Sequence, residues 1–232
     1  MTTVQLLQRP CPRSQGCSTY VLRLPPIIDA RTGFTLFLHG RGECGDDGAA
    51  HLHQGIGPFL TEDTALYHSI VVLPQKLDPD AEWETCLTDI TAILDEVNDE
   101  HRVAAGTRSL TGYSQGGHGV WTLNEALPGM FDVLAPICGY AEPRFSASQR
   151  RYGEPVGAGP TTDRLVAAAA SKRVRIFHGA RDPKIPAGES TMMASRLQDA
   201  AANVTLTIFP EAEHACWNEV YRDPDFASWL EA

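Results

Sequence analysis

Ser114 stands at the centre of Gly112-Tyr113-Ser114-Gln115-Gly116, a serine with a glycine two residues to either side. A serine that attacks a carbonyl must project from a sharp turn between a strand and a helix, with little chain bulk beside it. The flanking glycines meet that demand, and Gly117 extends the slack. The neighbouring residues supply the setting. The run at 109–113 reads as a short strand, and HGVWTLNEAL at 118–127 reads as a helix. The N-terminus of such a helix favours negative charge on whatever the serine attacks. The competing reading is a glycine-rich turn with an incidental serine, and the strand and helix that flank it argue against that.

A serine hydroxyl is a weak nucleophile near neutral pH. It needs a base, and the base needs a third group to hold its tautomer. Beyond the adjacent helix only two histidines follow, His178 and His214. His214 falls in a loop just after the last strand-like run, at the sheet edge where Ser114 also lies, and is assigned as the base. His178 ends a strand before Gly179, a place for packing or hydrogen bonding. His118 lies one turn into the helix after the serine and is expected to point away. Asp182 follows the strand-like run VRIFH at 174–178, within reach of a neighbouring loop, and is assigned as the orienting acid. Its rivals are placed less well: Asp163 precedes that strand, Asp199 lies on a helix, and Glu213 would have to fold back. The chain order serine, acid, histidine is that of nucleophile elbows in open α/β sheets. Two backbone N–H groups must meet the developing oxyanion. One is expected from Gln115, the residue after the nucleophile. The other is expected from the run HGRGE at 39–43, from Arg41 first and Gly42 second.

These residues have to be positioned by a sheet. Strand patterns fall at 3–8, 18–24, 34–39, 69–74, 109–113, 133–138, 174–178 and 204–209. The first two form an N-terminal hairpin. Helical spacing appears at 86–101, 115–127, 187–202 and 217–231, with an Ala-rich helix near 162–171. Alternating strands and helices predict a mostly parallel central sheet with helices on both faces, in one domain over 1–232. Residues 140–172 have weak periodicity and read as a short insertion beside the site, too short for a large cap domain.

The segments FLHGRGECGDD (37–47), GYSQGGHGVW (112–121), APICGY (135–140), FHGARDPKIP (177–186) and EAEHACW (211–217) resemble the α/β-hydrolase superfamily. Within it the chain is similar to small serine esterases of the phospholipase/carboxylesterase type and to dienelactone-hydrolase-like and predicted-peptidase proteins. The resemblance covers residues 34–217. It implies carboxylic ester or thioester hydrolysis through an acyl-enzyme, with Ser114, Asp182 and His214 as triad and Arg41 and Gln115 as oxyanion donors. In the dienelactone hydrolases proper the nucleophile is a cysteine, whereas here the position holds Ser114. The same triad would also serve an acyltransferase or a peptidase or amidase. A non-catalytic ligand receptor on this fold is the reading from another class, and it would be favoured by a missing triad member; none is missing.

Further residues fall where an open α/β sheet builds its site. Gln75, Trp83, Tyr140 and Trp217 lie just beyond strand ends and, with Gly42, are candidates to line the substrate pocket. His51, His53 and His68 have no carboxylate or cysteine at diagnostic metal spacing and read as surface or capping residues, so neither metal nor cofactor is expected. The six cysteines form no CxxC pair. Free thiols in a reduced cytoplasm are the expectation, with Cys11 and Cys17 near enough in sequence to pair if oxidised. A net charge of -10 disfavours nucleic acid and anionic membrane surfaces. No apolar run approaches the ~20 residues that span a bilayer, and residues 1–17 do not read as a secretory signal. The partner expected is therefore a small-molecule ester, and the sequence leaves a homodimer open.

Overall fold

The strand-like runs pair into one eight-stranded sheet. The computed structural model describes residues 4–62, 66–103, 106–142 and 159–232. Its strands are β1 (Gln5–Pro10), β2 (Cys17–Leu24), β3 (Phe34–Leu38), β4 (Ile70–Lys76), β5 (Arg108–Tyr113), β6 (Val133–Ile137), β7 (Arg173–Gly179) and β8 (Asn203–Phe209), in the order β1-β2-β4-β3-β5-β6-β7-β8. The hairpin β1–β2 is antiparallel, as is its junction with β4. Every other pairing is parallel. Burial follows position. The central β3, β4 and β6 are buried along their whole length, as both-face coverage requires of a parallel sheet, whereas the edge strands β1 and β8 alternate with exposed residues.

Helices cover both faces. On one side lie α2 (Leu87–His101), α3 (Gln115–Ala126), α4 (Pro160–Ala169) and α5 (Gly188–Asp199). Their buried rows, such as Ile90, Ile93 and Leu94 on α2 and Met193 and Leu197 on α5, join one apolar cluster. On the other side α1 (Gly57–Glu62), α6 (Trp217–Tyr221) and α7 (Pro224–Glu231) bury Leu60, Tyr221, Phe226 and Leu230 in a second cluster. This is the α/β-hydrolase fold, with short insertions in place of a large cap. Among the described residues no helix is long and apolar enough to cross a membrane.

Two expectations change. The closing helix expected over 217–231 is two helices. Asp223 caps the second by accepting the N–H of Asp225 at 2.9 Å, and Pro224 takes its first position, where a missing N–H costs no hydrogen bond. His51 is no surface residue: it is fully buried, and its Nε2 donates to the Leu73 carbonyl at 3.1 Å. Residues 143–158, most of the expected insertion, lie outside the described residues.

The turn at Ser114 shows why the pentapeptide has its form. Ser114 has φ 57 and ψ -119, in the region that L-residues rarely adopt. The turn presses the start of α3 onto the end of β3. A Cβ on Gly116 would lie 2.0 Å from the Leu38 carbonyl oxygen, and one on Gly112 would lie 2.6 Å from the same atom. Neither clash can be relieved by a side-chain rotation, because backbone meets backbone. Gly116→Ala is therefore expected to lower the unfolding free energy by about 3 kcal/mol, read as a drop in the urea midpoint against the wild type.

Candidate active site

Ser114, Asp182 and His214 come from three separate loops at the C-terminal ends of β5, β7 and β8. His214 Nε2 lies 2.9 Å from Ser114 Oγ, and His214 Nδ1 lies 2.6 Å from Asp182 Oδ2. A carboxylate only accepts, so Nδ1 carries the hydrogen and the Nε2 lone pair faces the serine hydroxyl. That is the tautomer a general base needs. The Ser114 N–H donates to the Ile137 carbonyl at 2.9 Å, which ties the turn to β6. Asp182 Oδ1 accepts the backbone N–H groups of Lys184 and Ile185 at 2.8 and 2.9 Å. Burial alone would push this carboxyl up. Hydrogen bonds from His178, His214 and the Ile185 backbone outweigh it and hold the group far below the usual carboxylate range.

A second serine–histidine pair meets the same carboxylate. Ser190 Oγ lies 2.7 Å from His178 Nδ1, and His178 Nε2 lies 3.2 Å from Asp182 Oδ2. Ser190 is 4% exposed and His178 is fully buried. Neither lines the cleft, whereas Ser114 and His214 both do. Only the Ser114 chain is open to a substrate.

The loop after β3 carries Arg41 in a 3-10 turn, Arg41–Glu43, and Gln115 is the first residue of α3, where a backbone N–H has no intrahelical acceptor. Their side chains grip the same short segment. Arg41 Nε donates to the Pro79 carbonyl at 3.0 Å and its guanidinium pairs with Asp80, while Gln115 Nε2 donates to the carbonyls of Pro79 and Ala81 at 3.2 and 3.0 Å. His39 fixes the start of the loop. Its Nδ1 donates to the Gly40 carbonyl at 2.6 Å, and its Nε2 accepts the Lys76 N–H at 3.0 Å. An imidazole that donates at one nitrogen and accepts at the other is neutral. Burial accordingly pushes His39 down to about 3 and His51, whose ring centre is 5.9 Å away, down to about 4.

The cleft over Ser114 has a volume of about 390 Å³. Of the five residues expected to line it, Gly42 and Trp217 do. Trp217 stacks on Tyr113 at 4.2 Å between ring centres and meets the His214 ring edge-on at 5.4 Å. Gln75, Trp83 and Tyr140 do not line it; each is at most 1% exposed. They brace the walls from behind. Gln75 Nε2 donates to the Glu43 carbonyl and to Asp47, the Trp83 indole N–H donates to the His39 carbonyl, and the Tyr140 hydroxyl donates to Glu82. Strand-end position alone does not tell a wall from its buttress. The cleft adds Gly40, Glu43, Tyr113, Lys184 and Ile185, which the sequence reading did not assign to the site. Each lies within three residues of an assigned one, so sequence proximity to Ser114, Gly42 and Asp182 was the available signal.

Of the rival acids, Asp163 pairs with Arg196 away from the cleft. Among the described residues one group brings metal-ligand atoms together: those of Cys138, Asp182 and His214 lie within 4.8 Å of one another. Two of its members already share the hydrogen bond just described. Burial pushes the Cys138 thiol well up, so it sits beneath them as a neutral apolar filler. All six cysteines are free.

The sequence profile of the prolyl oligopeptidase family matches residues 81–231. No curated protein matches the chain. Among solved structures it is similar to a thermostable esterase, at 21% identity and TM-score 0.75 over 98% of this chain and 62% of that one. The chain thus spans under two thirds of that protein's length. It is also similar to Est1E from Butyrivibrio proteoclasticus, at 16% identity and TM-score 0.67 over 97% of both chains. A ferulic acid esterase matches at 14% identity and TM-score 0.72, over 99% of this chain and 98% of the other.

The neutral histidines under the loop after β3 set a pH dependence. The unfolded chain protonates them near the ordinary value of about 6.5, whereas the folded chain refuses the proton until about 4 for His51 and about 3 for His39. Unfolding therefore takes up protons between these limits, and stability falls as the pH is lowered through that window. Urea midpoints measured from pH 7 down to pH 4 are expected to decline, and His51→Gln is expected to make the decline shallower.

Proposed function

The chain belongs to the prolyl oligopeptidase family and has the α/β-hydrolase fold, and from that premise we propose that it is a serine hydrolase with Ser114 as its nucleophile and small carboxylic esters as its substrates. The reading is carried by the 2.9 Å contact between Ser114 Oγ and the lone pair of His214 Nε2 at an open cleft. His214 takes the hydroxyl proton as Oγ attacks the ester carbonyl carbon. The N–H groups of Arg41 and Gln115 receive the oxyanion. The tetrahedral adduct collapses, and the alcohol leaves with the proton from His214. A water deprotonated by the same histidine then attacks the acyl-enzyme, releasing the acid and restoring the serine. Asp182 holds the His214 tautomer throughout and stabilises the imidazolium.

The esterases among the similar structures support an ester as substrate, and a cleft of about 390 Å³, near the lower end of ligand sites, supports a small one. The family match supports a second reading, cleavage of a peptide bond by the same groups. Hydrolysis of p-nitrophenyl esters from acetate to palmitate, beside prolyl p-nitroanilides, separates the two. The expected result is turnover of the short esters, with a loss of at least ~10³-fold in Ser114→Ala. Turnover of the anilides alone would replace the ester reading with the peptidase one. Undiminished activity in Ser114→Ala would remove Ser114 as nucleophile.

A further inference from the structure

Asp182 receives more donors than the orientation of His214 requires. Oδ1 takes two backbone N–H groups of its own loop, and Oδ2 takes the His214 Nδ1–H. The fourth contact comes from behind, from His178 Nε2 at 3.2 Å. The same Nε2 lies 2.8 Å from the Ile185 carbonyl oxygen. A carbonyl only accepts, so Nε2 carries the hydrogen and shares it between Ile185 and Asp182. Nδ1 of a neutral ring is then an acceptor, and Ser190 Oγ, at 2.7 Å, donates to it. His178 is fully buried at the end of β7, and Ser190 is on the first turn of α5. The ring therefore links three things: the sheet, the helix and the loop that carries the acid. Among the described residues the other titratable groups facing Asp182 are His214 and the Cys138 thiol, and neither can replace the His178 donor from behind.

We infer that His178, locked by Ser190, is a positioning residue for Asp182: it holds Oδ2 in line with His214 Nδ1 and draws off part of that oxygen's negative charge. The inference rests on Asp182 being the orienting acid proposed above. Its consequence is electronic as well as geometric. Without the rear donor, more charge faces His214. The imidazolium is then favoured, and the free base is scarcer at a given pH. A residue that served packing alone would change stability and leave the basicity of His214 as it was.

The test uses three variants. Ser190→Ala removes the lock with the smallest change in volume. His178→Leu removes the donor. His178→Gln keeps an amide N–H near the place of Nε2. The first readout needs no substrate: the proton resonance of the short His214–Asp182 hydrogen bond. It is expected to move in His178→Leu, to move less in Ser190→Ala, and to stay near its wild-type position in His178→Gln. The second is the pH profile of kcat/KM on a p-nitrophenyl ester. Its acid limb is expected to shift to higher pH in His178→Leu and Ser190→Ala. At the pH optimum kcat is expected to fall by about 10- to 100-fold in His178→Leu, with little change in KM, and to recover to within about 5-fold in His178→Gln. If His178→Leu does not fold, Ser190→Ala and His178→Gln carry both readouts. A resonance and an acid limb unchanged in folded Ser190→Ala and His178→Leu would overturn the inference. A resonance that moves as expected in a protein inert toward esters would uphold it and instead overturn the substrate reading.

Discussion

The close approach of α3 to the end of β3 is the constraint on which the site depends. Gly116 and Gly112 let two backbones meet at a distance that no side chain permits, and Ser114 is driven into a left-handed conformation as a result. Three consequences follow from one contact. The hydroxyl stands clear of the sheet, the first N–H of α3 is left without an intrahelical acceptor beside it, and the helix end there favours negative charge. The strain is affordable because the strands around the turn are buried, β3 and β6 along their whole length and β5 at every residue but its first.

Around this rigid centre, the second N–H proposed to meet the oxyanion is carried on a loop, and loops need bracing. Here the bracing is polar and buried. His39, Gln75 and Trp83 hydrogen-bond the backbone of the 39–48 segment, while Arg41 and Gln115 reach from opposite sides of the site to the same carbonyl of Pro79. A network of this kind fixes backbone direction better than apolar packing does, because each bond has a required angle. It also makes the loop sensitive to protonation, since His39 can hold its two bonds only when neutral.

Asp182 is organised on the same principle with the opposite sign. A buried carboxylate is costly unless its oxygens are met by donors. Two backbone N–H groups and two imidazoles meet it here, which keeps it ionised and aimed at His214. Two serine–histidine pairs converge on this one charge: one makes the shorter bond to it and opens to the cleft, and the other shares its N–H with the Ile185 carbonyl and is sealed between β7 and α5.

The sequence by itself determined the sheet, the elbow and the identity of the assembled serine, acid and histidine. Each rests on local rules: buried parallel strands read as apolar runs, a strained turn demands glycines two residues away, and loops after strand ends share one edge of an open sheet. The break before Pro224 was local too, and Asp223-Pro224 carried its signal. Only the tertiary structure decided which strand-end residues face the cleft. Gln75, Trp83 and Tyr140 obey the same placement rule as Trp217, yet they point into the protein, because facing depends on what packs from other parts of the chain. His51 was misplaced for the same reason, its partner being Leu73 on the neighbouring strand. The convergence of His178 and Ser190 on Asp182 depends on how α5 packs against β7, a distance of a few ångströms that no spacing along the chain encodes.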